Sequence, residues 1–194
     1  MYQFFLRLSI AMAWIGGLAL SGIIVMICAS VLGRTINGWL FSDAVQSTVP
    51  GVAQALLDLG IGPINGDFEL TEALVAFSIF AFLPLCQITG GHAAVDVFTR
   101  MMPDRFNRGM QVVIDVVFAA VMVLIAVQLY SGMLSKISSG QTTFLLQFPV
   151  WWGYALALVG AVIAAATAVW IAAARLTETL TGRRILPENL ETQG

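Results

Sequence analysis

Charge is scarce in this sequence. Nine Lys/Arg, eleven Asp/Glu and one histidine occur among 194 residues, so 10% are charged where a soluble domain carries about 25%. A formal net charge of −2 leaves no basic surface to neutralise a phosphate backbone, which excludes nucleic-acid partners. Cysteine is rarer still. Cys28 and Cys86 both sit inside apolar runs, so neither a disulfide framework nor a cysteine metal site is written here. The single histidine, His92, cannot supply the paired axial ligands of a membrane cytochrome or the roughly three protein ligands of catalytic zinc. GxSxG, HExxH and phosphate-binding glycine loops are missing. Catalysis is therefore rejected, and no cofactor or metal is called for.

Apolar residues are what the chain has, 59% of it against about 45–50% in soluble domains. Four stretches, residues 8–32, 70–88, 110–131 and 149–174, are long enough to cross a hydrocarbon core of about 30 Å, which takes about 20 helical residues. The first follows Arg7 and has 25 residues, well beyond the about 7–15 of a signal-peptide core, so it reads as a retained helix. The chain is thus an all-α membrane protein with four transmembrane helices in one domain, residues 1–194.

Orientation follows from the cations. Arg7 precedes the first span, Arg100, Arg105 and Arg108 lie between the second and third, and Arg175, Arg183 and Arg184 fall in the tail 175–194, while the other two connections hold only Arg34 and Lys136. Both termini are therefore expected in the cytoplasm. Trp14 and Trp170 then fall near the inner boundary, and Trp39, Tyr130, Trp151, Trp152 and Tyr154 near the outer one, as interfacial anchors do. In this frame Cys28 and Cys86 differ in depth by about 15 Å, too far to bridge, and read as packing residues.

Helix ends carry local signals. Asp67 is placed to cap the second helix, with Glu69 and Glu72 in its first turns, where free N–H groups and the positive dipole end favour carboxylates. Gly90 and Gly91 stop that helix. Pro84 inside it removes the usual partner of the Phe80 carbonyl and predicts a kink. Pro149 suits the first turn of the fourth helix.

The outer segment, residues 33–67, is long for a connector. Val45, Val49, Val52, Leu56 and Leu59 form a helical stripe opposite Gln46, Gln54 and Asp58, interrupted near Pro50 and Gly51, which predicts an amphipathic helix in the outer interface. Through Glu72 it carries one Arg against five acids, Asp43, Asp58, Asp67, Glu69 and Glu72, a net −4. Two readings stay open, a solvated interfacial segment and a docking surface for a periplasmic partner. The inner loop, residues 90–108, places Val95, Phe98 and Met102 on one side of a short interfacial helix. His92 beside the glycine pair reads as a helix-end cap ahead of a proton-handling group.

Small residues recur every four positions: Ala13, Gly17 and Ser21 in the first helix, Gly153, Ala157, Ala161 and Ala165 in the fourth, and a second fourth-helix row of Gly160, Ala164, Ala168 and Ala172. Such rows let backbones approach closely, within one subunit or against another. Solute-path chemistry is absent by contrast. Only Asp115 lies clearly inside a span, and pairing near the interface with Arg108 and Gln111 explains it more cheaply than transport does. A self-sufficient small exporter would carry an acid in its first helix, which has none. The residues alone leave an accessory or scaffolding subunit, or alternatively a self-assembling tetraspan structural protein or small channel.

Residues 66–108, GDFELTEALVAFSIFAFLPLCQITGGHAAVDVFTRMMPDRFNR, resemble the small membrane subunit, the DctQ type, of tripartite ATP-independent periplasmic (TRAP) transporters. Glu69 and Glu72 at a helix start, then H-x-x-V-D (His92, Val95, Asp96), then P-x-R (Pro103, Arg105) come in that family's order, and Pro149 before the last helix fits it. Arg100 falls within the same run. The resemblance implies a bacterial inner-membrane subunit that pairs with a large multi-helix permease subunit and works with a periplasmic solute-binding protein. It further implies sodium-driven uptake of an organic acid, with substrate and ion sites in the large subunit and this chain as scaffold. Glu69, Glu72, His92, Asp96, Arg100, Arg105 and Pro149, with Gly17, Ser21, Gly153, Ala157, Gly160 and Ala164 from the small-residue rows, are the candidate structural and partner-interface residues.

Overall fold

The computed structural model describes residues 2–42, 45, 47, 51, 54, 60, 62–90 and 104–181. Four long helices build it: α1 Tyr2–Leu40, α2 Asp67–Ile88, α3 Asp104–Ser139 and α4 Trp151–Thr181. Each contains a window long and apolar enough to cross a membrane.

Three helices outrun the boundaries expected from sequence. α1 continues to Leu40, α3 runs from Asp104 to Ser139, and α4 ends at Thr181. Hydropathy marks only the part of a helix that lies in hydrocarbon, whereas i→i−4 hydrogen bonding continues into water as far as the residues permit. At 1.5 Å per residue α1 is about 58 Å long, roughly twice the hydrocarbon thickness. Positions 33–40, expected in the outer segment, and 175–181, expected in the tail, are therefore helix. Of the amphipathic stripe at 45–59 only Val45 is described, and it is buried. The short inner helix falls in 91–103, outside the described residues.

The helices lie in a row, not in chain order. Extensive contacts join α1 to α2, α2 to α4, and α4 to α3, so α2 and α4 are interior and α1 and α3 are the edges. Burial follows this order. Half of the apolar window of α4 (50%) is covered, against 17% for α1 and 22% for α3. The edge helices expose Trp14, Leu18, Val25, Leu32, Val113, Val117 and Leu124, more apolar surface than a water-soluble monomer carries and what a bilayer as solvent accepts.

Contacts at the helix ends define the directions. Asp67, starting α2, meets Ser30 and Arg34 of α1. Gln87, near the end of α2, meets Asp115 early in α3, and Asp115 meets Arg175 near the end of α4. Tyr2 and Phe5 of α1 pack on Trp170 of α4. α2 and α4 therefore run parallel, and α1 and α3 run the other way. Cys28 sits two residues before Ser30, and Cys86 one before Gln87. Their depth difference is about 25 Å, larger than expected from sequence, and the two are not joined by a disulfide. Cys28 is exposed, so it is not the packing residue anticipated.

Two helix starts differ from expectation. Gly66, with φ +80°, occupies the N-cap of α2 and makes no side-chain cap bond; that left-handed conformation costs glycine nothing. Asp67 is already in the helix, and its carboxylate accepts the Phe68 amide (2.8 Å) and the Ser30 hydroxyl (2.5 Å). Pro149 lies before α4, not in its first turn, and faces Thr142 across an isolated antiparallel bridge. At its other end α2 stops as expected, with Thr89 as C-cap and Gly90 at φ +66°.

Candidate functional site

The candidate residues fall into a close-packed seam and two polar ends. In the seam, side chains are small because backbones cross there. A Cβ added to Gly160 would stand 2.8 Å from the Phe80 Cβ and 3.3 Å from the Phe80 carbonyl carbon. Phe80 is the residue whose carbonyl Pro84 deprives of its i+4 donor, and Pro84 itself is buried inside α2. Seven residues earlier on each helix, Gly153 meets Ala73 in the same way, at 3.3 Å. Ala157, Ala161, Ala164 and Ala168 continue the buried surface of α4, and Ala119 and Met122 of α3 close on Ala164, Ala165, Ala168 and Ala172. Both fourth-helix rows are thus consumed within the chain. In α1 the neighbour of the expected row is the one engaged. Gly16 packs on Ala81, its added Cβ 2.8 Å from the Ala81 methyl, whereas Gly17 has nothing within 4 Å. Gly17 and Ser21 face outward and line an open groove of about 420 Å³ with Ile10, Ala13, Trp14 and Leu85.

At the end of the row where α2 begins, Glu69 does more than face a helix dipole. Its two carboxylate oxygens accept the amides of Leu145 (2.6 Å) and Leu146 (3.0 Å), in the connection between α3 and α4. That connection is a short hairpin. The Thr143 amide donates to the Phe148 carbonyl (2.9 Å), and the Val150 amide to the Gln141 carbonyl (3.0 Å). Leu146 lies over Gly66, where any Cβ would overlap its side chain. Glu72 is exposed and with Glu69, Thr143, Phe148, Gly153 and Tyr154 lines a cleft of about 460 Å³ beneath the hairpin.

At the opposite end a buried polar cluster ties three helices. Arg175 Nε stands 3.0 Å from Asp115 Oδ2, its Nη1 donates to Gln111 Oε1 (2.9 Å), and Gln87 Nε2 donates to Asp115 Oδ1 (3.3 Å). Asp115 and Arg175 are largely shielded, at 12% and 17% side-chain exposure. Gln111 takes part as expected, and Arg175 of α4 is an ion partner from another helix; the expected Arg108 side chain lies outside the described residues. Helical spacing points to neighbours on one helix only. Depth would have found the pair, since Asp115 and Arg175 lie near the ends of α3 and α4 that the antiparallel layout brings together.

Sequence reasoning missed Gln87, Arg175 and the Ser30–Asp67–Arg34 group. In that group Arg34 Nη2 lies 3.9 Å from Asp67 and the Ser30 hydroxyl also accepts the Ile64 amide at 3.3 Å. His92, Asp96 and Arg100 lie outside the described residues, and Arg105 falls in the first turn of α3.

Among the described residues the arrangement consists of interlocked helices with polar ties at both ends, including the Arg34–Asp67 and Arg175–Asp115 ion pairs. The family model for tripartite ATP-independent periplasmic transporters, DctQ component, matches residues 23–180, from the middle of α1 to the last turn of α4. No curated protein and no solved structure matches the chain. With most of its length inside that match, the chain belongs to the DctQ family, the small membrane component of TRAP transporters.

Proposed function

We propose that this small permease subunit is the static brace of a sodium-driven uptake system for an organic acid. A periplasmic solute-binding protein delivers the substrate, and a large multi-helix permease subunit carries it through the bacterial inner membrane. The family match over residues 23–180 is the observation that carries the reading. Two features support it. The buried carboxylate in the described membrane region, Asp115, is held by Arg175 and Gln87 and so serves as a tie between helices. A row also has two broad apolar faces, which suits a body that lies against a larger one.

In this reading both termini are cytoplasmic, because seven of the nine cations, Arg7, Arg100, Arg105, Arg108, Arg175, Arg183 and Arg184, fall in the sequence before the first span, between the second and third, or after the fourth, the segments that stay inside under the positive-inside rule. His92, Asp96, Arg100 and Arg105 form a cytoplasmic collar that positions helices and relays no proton. Gly17 and Ser21 offer the large subunit a close-approach face on α1, left open within this chain.

The test is uptake of a labelled organic acid into proteoliposomes holding the large subunit and the binding protein, with this chain present or omitted. Uptake should collapse on omission, and unimpaired uptake would remove the proposal. A His92→Ala variant that assembles normally but loses the pH dependence of uptake would remove the collar reading. A stable homo-oligomer with no large co-purifying membrane protein would point instead to a self-assembling tetraspan protein.

A further inference from the structure

The hairpin between α3 and α4 ends in Phe144, Leu145 and Leu146, exposed by 88%, 56% and 40%. No charged residue occurs from 141 to 150. Three observations indicate what this tip meets.

The first is its depth. Leu145 and Leu146 hydrogen-bond to Glu69, which is the third residue of α2. α2 has 22 residues, about 33 Å, which matches the hydrocarbon thickness, so its ends mark the two membrane boundaries. The tip is held at one of these boundaries and does not stand out in the aqueous phase. The second is the state of its backbone. A loop surrounded by water leaves amides to solvent, but lipid offers them nothing. Here the Leu145 and Leu146 amides are taken by Glu69, the Thr143 amide by the Phe148 carbonyl, and the Phe144 carbonyl by the Gln147 side-chain amide at 2.9 Å. The third is the aromatic neighbourhood. Phe148 and Trp152 approach to 6.2 Å, as do Trp151 and Trp152, and Trp152 is half exposed, as in the aromatic belts of membrane interfaces.

We propose that the 141–150 hairpin is a membrane-interface anchor. Phe144 and Leu145 enter the boundary between headgroups and acyl chains, and the Glu69 carboxylate keeps the tip's backbone dry enough to do so. The occupant of this apolar tip is lipid, not a soluble partner. Phe144 and Leu145 bring no side-chain donor or acceptor, while a wet, reversible protein contact carries about one hydrogen bond per 100–200 Å².

The test places a nitroxide at the tip of the full chain in phospholipid nanodiscs. Phe144→Cys is made with Cys28→Ser and Cys86→Ser, labelled, and probed for collisions with oxygen, which partitions into lipid, and with a water-soluble nickel chelate. Oxygen should collide several times more often than nickel. Dominant nickel collisions, meaning a water-exposed tip, would overturn the proposal. Protection from both reagents, meaning a tip covered by protein, would overturn it too. Leu145→Cys in the same background gives an independent reading if the first variant fails to assemble. Adding Glu69→Gln should raise nickel collisions at either position, and no change would refute the part assigned to the carboxylate.

Discussion

Replacing Gly160 by alanine puts a methyl group where α2 already is. The added carbon would stand 2.8 Å from the Phe80 Cβ, 3.3 Å from the Phe80 carbonyl carbon and 3.4 Å from the Ala81 nitrogen. Carbon pairs settle at about 3.5–4.0 Å, so the two helices must separate by about 1 Å. Two of the three obstructing atoms are backbone, so no rotamer change relieves the clash. Separation would open the flanking contacts of Ala157, Ala161 and Ala164, each no more than 3% exposed. A gap of about 0.5–1 Å forfeits a quarter to a half of each contact, and overpacking of this kind costs about 1–3 kcal/mol. Alanine regains at most about 1 kcal/mol of helix propensity over glycine. The expected net loss is about 1–2 kcal/mol. Gly17→Ala is the matched control, because nothing lies within 4 Å of its added Cβ; it keeps the propensity gain without the clash. Unfolding in mild detergent titrated with SDS, followed by circular dichroism, would rank the variants. A Gly160→Ala midpoint equal to the native one, or above that of Gly17→Ala, would refute the packing argument.

Arg175→Met removes the guanidinium 3.0 Å from the shielded Asp115 carboxylate, so stability should fall by about 3–5 kcal/mol; adding Asp115→Leu should recover most of the loss in the same titration. Glu69→Gln removes one of the two acceptors that hold Leu145 and Leu146. Amide exchange read by mass spectrometry should speed up across 143–148 while the middle of α4 stays protected. Oxidation with copper phenanthroline should yield no Cys28–Cys86 bridge within one chain, since about 25 Å of depth lies between them, and a mobility shift abolished by reductant would contradict the helix layout.

The four spans were legible because lipid imposes a simple requirement, an unbroken apolar run of sufficient length. Their ends were not, because Arg34 in α1 and Arg175 in α4 stay helical after hydropathy has fallen. Small-residue spacing identified Gly153 and Gly160 as close-approach positions but could not separate Gly16 from Gly17. Adjacent residues lie about 100° apart around a helix, and which one faces a neighbour depends on where that neighbour sits. The polar ties were hardest to read. Glu69 is 76 residues from Leu145 and Gln87 is 28 from Asp115, separations for which helical periodicity holds no information.

The mismatch between chain order and spatial order bears on how this protein is made. α1 and α2 are consecutive in the chain and can pair as soon as both have left the ribosome. α3 is synthesised next, yet the surface it rests on belongs to α4, which follows it. Until that last segment inserts, the third lacks its main packing surface, and Asp115 lacks the Arg175 guanidinium. A nascent chain cut short after Ser139 would therefore keep the Gln87 contact to Asp115 but lack Arg175, and would carry a bare apolar flank where α4 packs.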